Sequence, residues 1–130
     1  MTYCVGLLLN RGIVLLSDTR TNAGLDNIAV YRKMFTFEEP GERAIVILSA
    51  GSLSITQTAL ARLQEAIDED DPETPSLMNA ATMLEVAQRV GDCLANVTAD
   101  VQAKLGRSSQ AATASMLVGG QRRGGVMRLF

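Results

Sequence analysis

The sequence predicts an α+β fold, and three observations carry that reading. Short, nearly continuous apolar runs gather toward both ends of the chain, two long stretches between them carry apolar residues at helical spacing, and turn residues separate the pieces. With 130 residues, 47% apolar and 20% charged, the chain has the size of one compact domain and is too apolar to stay disordered.

The first two runs, Tyr3 to Leu9 and Ile13 to Ser17, are separated by Asn10-Arg11-Gly12, which suits a hairpin turn with positive φ at Asn or Gly. Their continuous apolarity predicts strands covered on both faces. A further run, Ala44 to Ser49, follows the turn signal Glu39-Pro40-Gly41-Glu42 and stops at Ala50-Gly51; it pairs with a short strand over Lys33 to Phe37. From Ser52, an N-cap, Leu53, Leu60, Leu63 and Ile67 recur at helical spacing until Asp68-Glu69-Asp70-Asp71-Pro72 ends the pattern. Those four carboxylates sit at the negative end of a helix dipole, where a solvated loop suits them better than a cation site.

A second helix is predicted from about Asn79 to Leu105, with Leu84, Ala87, Gly91, Leu94, Val101 and Leu105 on one face and Gly106 as its C-terminal cap. Its small residues Ala80, Ala87, Gly91 and Ala95 allow close approach of a neighbouring helix. Ala112 to Val118 then reads as a strand, Gly119 to Gly125 as a glycine-rich loop and Val126 to Phe130 as a last strand. The chain stops inside that apolar strand, so residues 1–130 read as a single domain incomplete at its C-terminus, whose sheet needs cover from more chain or a partner subunit. A homo-oligomer follows.

Composition narrows function. A net charge of −2 gives no surplus of Lys and Arg for phosphate neutralisation, so no nucleic-acid partner is expected. Cys4 and Cys93 are far apart and embedded in apolar runs, the pattern of reduced buried thiols in a cytoplasmic protein rather than of a disulfide or metal site. No signal peptide or membrane span is visible, and hence no membrane partner is expected.

The chain contains no histidine, the commonest catalytic base, yet Thr2 stands directly behind Met1. Removal of Met1, which aminopeptidases carry out readily before a small side chain, puts a hydroxyl nucleophile and a free α-amine on one residue. An α-amine with a pKa of about 8 is a competent base near neutrality. Asp18 ends the second strand of the hairpin that Thr2 begins, and Lys33 begins another strand, so a carboxylate, a lysine and an amine converge. A cationic Lys33 held by Asp18 lowers the α-amine pKa by like-charge repulsion. Gly51 lies where a strand hands over to a helix, so its N–H is placed to receive an oxyanion.

Met1-Thr2, Ser17-Asp18-Thr19-Arg20, Tyr31-Arg32-Lys33-Met34 and Ser49-Ala50-Gly51-Ser52 together resemble the proteasome β-subunit family of N-terminal nucleophile hydrolases. Within it, MTYCVG, SDTRTNAGLDNI, YRKMFTFE and SQAATASMLVGGQ are similar to the bacterial ancestral β-subunits, over essentially the whole chain. The resemblance implies the N-terminal half of a four-layer αββα sandwich, threonine-type amide hydrolysis without metal or organic cofactor, and assembly of identical subunits into rings or open helical rings. It makes Thr2 the nucleophile, Asp18 and Lys33 its charge pair and Gly51 the oxyanion donor. It places Thr21 and Asn22 on the strand flanking a peptide or amide substrate, and Ser49 and Leu53 near the pocket for the side chain before the cut. Asn22 departs from the threonine that many β-subunits carry, and the family's further Ser and Asp-Ser elements have no counterpart here. Two other readings stay open: a catalytically silent ring subunit, and a hydrolase of a non-protein amide or small peptide conjugate.

Overall fold

The structure, a computed structural model, describes residues 1–22, 28–106 and 112–130. It divides into two compact units, residues 1–50 with 116–130, and residues 51–115. Residues 23–27 of SDTRTNAGLDNI and 109–111 of SQAATASMLVGGQ lie outside the described residues.

In the first unit, β1 (Cys4–Leu9) and β2 (Gly12–Ser17) form an antiparallel hairpin in register from Cys4 opposite Ser17 to Leu9 opposite Gly12. The turn is Asn10-Arg11, and neither these residues nor Gly12 takes the positive φ that the sequence suggested; among the described non-glycine residues only Asp70 does. Arg11 carries a Cβ and keeps the ordinary negative range. β3 (Arg20–Asn22) and β4 (Ile28–Val30) pair antiparallel as a small ribbon that sequence periodicity did not reveal, because three residues are too few to show a period.

The main sheet has the order β5 (Met34–Glu39), β6 (Arg43–Gly51), β7 (Ala114–Arg122), β8 (Arg128–Leu129). Gly41, at φ +80°, turns β5 into β6. Among the described residues, Phe37, Ile45, Ile47, Leu48 and Val118 are its buried apolar side chains in this unit. The expected glycine-rich loop over 119–125 is shorter than predicted: Gly119 and Gly120 lie inside β7, and the turn begins at Arg123.

The reason is steric. A methyl on Gly119 would come within 3.0 Å of Leu15 and 3.6 Å of Ile13, and a methyl on Gly6 within 2.9 Å of both δ-carbons of Leu129. The β1–β2 hairpin thus lies face to face on β7 and β8, with a glycine under each pressing leucine. Its other face carries Val5, Leu7, Leu9, Val14 and Leu16, of which Leu7, Leu9, Val14 and Leu16 are about half exposed. Among the described residues, therefore, the Gly6 and Leu15 face has a partner layer and the other face does not, so the two-sided cover predicted for these strands is not seen there.

The second unit holds α1 (Leu53–Asp68) and α2 (Met83–Leu105). α1 buries Ile55, Thr56, Ala59, Leu60 and Leu63, whereas Leu53 is 36% exposed. Ser52 precedes α1 in extended conformation, but its side chain makes no capping bond; its Oγ lies 3.1 Å from Ser54 Oγ instead. The acidic run at the end of α1 is exposed, and Asp71 accepts from Glu73 N–H and Thr74 Oγ in a local turn. α2 begins four residues later than predicted, where Thr82 Oγ accepts the Glu85 N–H.

Its buried face also differs from the predicted one. Met83, Val86, Val90 and Val97 are buried, while Leu84 and Leu105 are exposed and Gly91 has open space around it. The sequence of α2 is apolar along two neighbouring stripes, so spacing alone could not choose between them. Arg89 ties the preceding loop to α2, donating to Ser76 O, to Asn79 Oδ1 at 2.5 Å and to Glu85 Oε1 at 2.5 Å. Among the described residues no helix is long and apolar enough to cross a membrane.

Candidate active site

The hairpin register decides what meets what. Cys4 pairs with Ser17, so the residues just outside, Tyr3 and Asp18, are neighbours at the open end of the hairpin. The Asp18 N–H donates to Tyr3 O at 3.0 Å, and the Tyr3 N–H donates to Asp18 Oδ1 at 2.8 Å. Thr2, half-buried, immediately precedes this pair. On the main sheet, Ser49 N–H donates to Lys33 O at 2.9 Å, fixing Lys33 just ahead of β5.

The buried Lys33 ammonium joins these pieces. Its Nζ donates to Thr2 Oγ1 at 3.0 Å, to both Asp18 carboxylate oxygens at 3.0 Å and to Arg20 O at 2.5 Å. An ammonium has three protons, and three acceptor groups take them. Lys33 therefore offers Thr2 a donor and no lone pair.

The Tyr3 main-chain N–H is the largest influence holding the Asp18 carboxyl down at about 2, followed by Lys33, with the Arg20 N–H adding to it. Asp18 is thus a carboxylate at any physiological pH. Cys4, one turn of the pleat from Thr2, behaves oppositely. Burial and the Asp18 charge push its thiol up against the opposing pull of Lys33, and its Sγ donates to Ser49 O at 3.7 Å. That keeps it a protonated thiol rather than a nucleophile.

The remaining sequence-predicted residues fall as follows. Thr21 lies half-buried on β3 opposite Ala29, and Asn22 lies opposite Ile28. Ser49 is buried on β6. Arg20 is exposed, yet its main-chain carbonyl accepts from Lys33 Nζ. Gly51 and Leu53 belong to the second unit. Gly51 adopts φ +96°, and the next amide, Ser52 N–H, is committed to Thr113 O at 2.8 Å. Sequence reasoning missed the Tyr3 amide and the Arg20 carbonyl, because main-chain groups carry no letter; hairpin register is the signal that could have found the first. Among the described residues no group of three or more Cys, Asp and Glu is arranged to hold a metal ion.

No protein-family model and no curated protein matches the sequence. Solved structures do. The helical assembly of the Anbu complex from Pseudomonas aeruginosa matches with a TM-score of 0.87 and 37% identity over 99% of this chain. Anbu (ancestral beta-subunit) from Yersinia bercovieri gives 0.85 and 38% over 100%, and Anbu from Hyphomicrobium sp. strain MC1 gives 0.84 and 37% over 100%. The chain spans about half the length of these relatives, 52% of each. Its α+β fold is that of the N-terminal-nucleophile αββα sandwich over the matched half.

Proposed function

The chain belongs to the Anbu family, the ancestral β-subunits, and on that premise we propose that it is a threonine-type amide hydrolase whose nucleophile is Thr2. The observation that carries this reading is the single Lys33 ammonium bridging Thr2 Oγ and the Asp18 carboxylate at 3.0 Å. Removal of the fully exposed Met1 frees the α-amine of Thr2. The amine takes the hydroxyl proton, directly or through water, as Oγ attacks a peptide or other amide carbonyl. Lys33 stabilises the oxygen as it loses that proton, and its charge keeps the neighbouring amine a free base.

The resulting α-ammonium returns the proton to the amide nitrogen as the C–N bond breaks and the amine leaves, and water, deprotonated by the same α-amine, then releases the acyl group as a carboxylic acid and regenerates the Thr2 hydroxyl. In this reading Thr21 and Asn22 flank the bound substrate, and Ser49 borders the pocket for the side chain before the cut. No cofactor takes part. Threonine suits the task because its extra methyl restricts χ1 and holds Oγ in one attacking rotamer. The subunits assemble with copies of themselves into rings or open helical rings in the cytoplasm. The exposed apolar face of the β1–β2 hairpin supports a need for further cover, and the Pseudomonas relative forms a helical assembly.

The test uses the subunit with loss of Met1 verified by intact mass. Thr2→Ala removes the nucleophile and leaves the amine, so amide hydrolysis falls to background, whereas Thr2→Ser keeps part of it. An assembled Thr2→Ala protein that hydrolyses the same amides at the unmutated rate refutes the reading. A subunit that retains Met1 in its assembled state favours the silent ring component instead.

A further inference from the structure

We propose that Asp18 also positions the nucleophile through the main chain, by taking the Tyr3 N–H away from the hairpin ladder and onto its own side chain; this rests on Thr2 being the nucleophile. In an antiparallel ladder, the pair Tyr3 and Asp18 would exchange two main-chain bonds, as the spacing from Leu9 opposite Gly12 requires. One of them is present, Asp18 N–H to Tyr3 O at 3.0 Å. The other is replaced: the Tyr3 N–H reaches Asp18 Oδ1 at 2.8 Å, so a carboxylate stands where a carbonyl would.

The substitution has a geometric effect on Thr2. A hydroxyl held only by Lys33 is tethered at one point, and the Thr2 main chain can still rotate about it. The Tyr3 amide supplies a second point one peptide bond away. Asp18 Oδ1 serves both tethers, since it accepts from Lys33 Nζ at 3.0 Å as well as from Tyr3. Oδ2 is held in turn by the Arg20 N–H at 3.2 Å, so the carboxylate itself cannot swing. The Thr2 Oγ and the main chain leading from Thr2 are thereby referenced to one carboxylate. Rates of oriented reactions fall steeply when reacting groups are misplaced by an ångström.

The experiment follows amide hydrogen exchange at Tyr3 in the unmutated chain and in Asp18→Ala, Asp18→Asn and Asp18→Glu, with kcat and KM measured on the same preparations. Asn keeps an oxygen for the Tyr3 N–H without the charge, whereas Glu keeps the charge but its extra methylene moves the oxygen off the rung. The expected result is Tyr3 exchange about tenfold or more faster in the Ala and Glu variants and little changed in Asn. With it, kcat is at least about tenfold higher in Asn than in Ala, at similar KM.

Tyr3 exchange equal in all four proteins overturns the clamp. Equal kcat in the Asn and Ala variants overturns its positioning role. If Asp18→Ala does not fold, the Glu and Asn pair decides by the same exchange measurement. Thr2→Ala serves as the separating control. Turnover retained there sinks the hydrolase reading, while the Tyr3 exchange rates still decide whether the clamp exists.

Discussion

Gly51→Ala should destabilise the chain more than its exposure suggests, and Gly41→Ala provides the comparison that shows why. Both glycines have positive φ, +96° and +80°, so an alanine at either position pays a backbone strain of about 1–2 kcal/mol. Their surroundings differ. A Cβ on Gly41 meets nothing within 4 Å, whereas one on Gly51 would lie 2.4 Å from Thr113 O and 2.9 Å from Ala114 Cα. Both obstructing atoms are backbone, and Thr113 O is tied to the Ser52 N–H at 2.8 Å, so relief requires the paired strands to separate. Overpacking of that kind adds about 1–3 kcal/mol. Gly51→Ala is therefore worth about 2–5 kcal/mol and Gly41→Ala about 1–2 kcal/mol. Urea unfolding at an m-value of about 2 kcal/mol per molar places the Gly51→Ala midpoint roughly 1–2.5 M below the unmutated chain, and Gly41→Ala within about 1 M of it. Two midpoints that coincide would show that the approach to Thr113 has no energetic consequence.

Gly91→Ala should stabilise the chain by about 0.5–1 kcal/mol and so raise the midpoint, because Gly91 sits inside α2 with nothing within 4 Å of a new Cβ; a loss of stability in the assembled protein alone would place a neighbouring subunit against that helix. The Asp18 carboxyl is held at about 2 in the folded chain against about 3.9 when unfolded, so the folded state binds fewer protons across that interval. Its contribution is complete above about pH 4 and is lost as pH falls toward 2. Unfolding midpoints of the unmutated chain and Asp18→Asn should accordingly converge on acidification from pH 5 to pH 2.5, and a constant gap would remove Asp18 from the acid response.

How much of this was legible depended on which groups carry a letter in the sequence. Thr2, Asp18 and Lys33 sit at the ends of apolar runs, and a hairpin of fixed register brings such ends together, so their convergence could be read in advance. The strands β1, β2, β5 and β6 were legible for the same reason, as blocks of apolar residues bounded by turn chemistry. The Tyr3 amide and the Arg20 carbonyl were not, since any residue type could supply them. The face of α2 was misjudged where two apolar stripes compete, with Met83, Val86 and Val90 on one and Leu84, Ala87 and Gly91 on the next. Gly119 was assigned to a loop by its chemistry, although a long-range neighbour, Leu15, is what requires it.

That last contact makes the site a gauge of layer spacing. Thr2 and Asp18 ride on the β1–β2 hairpin, while Lys33 rides on the sheet that contains β5 and β7, so the 3.0 Å bonds among them span two stacked layers. Stacked sheets ordinarily stand about 10 Å apart, a distance set by the side chains between them. Here two of those side chains are hydrogen atoms, at Gly6 and Gly119, opposite Leu129 and Leu15. A methyl at Gly119 acts as a shim between the hairpin and the sheet beneath it. It would lift the layer that carries Thr2 away from the layer that carries Lys33, lengthening the Lys33 to Thr2 bond without altering a single residue that forms it.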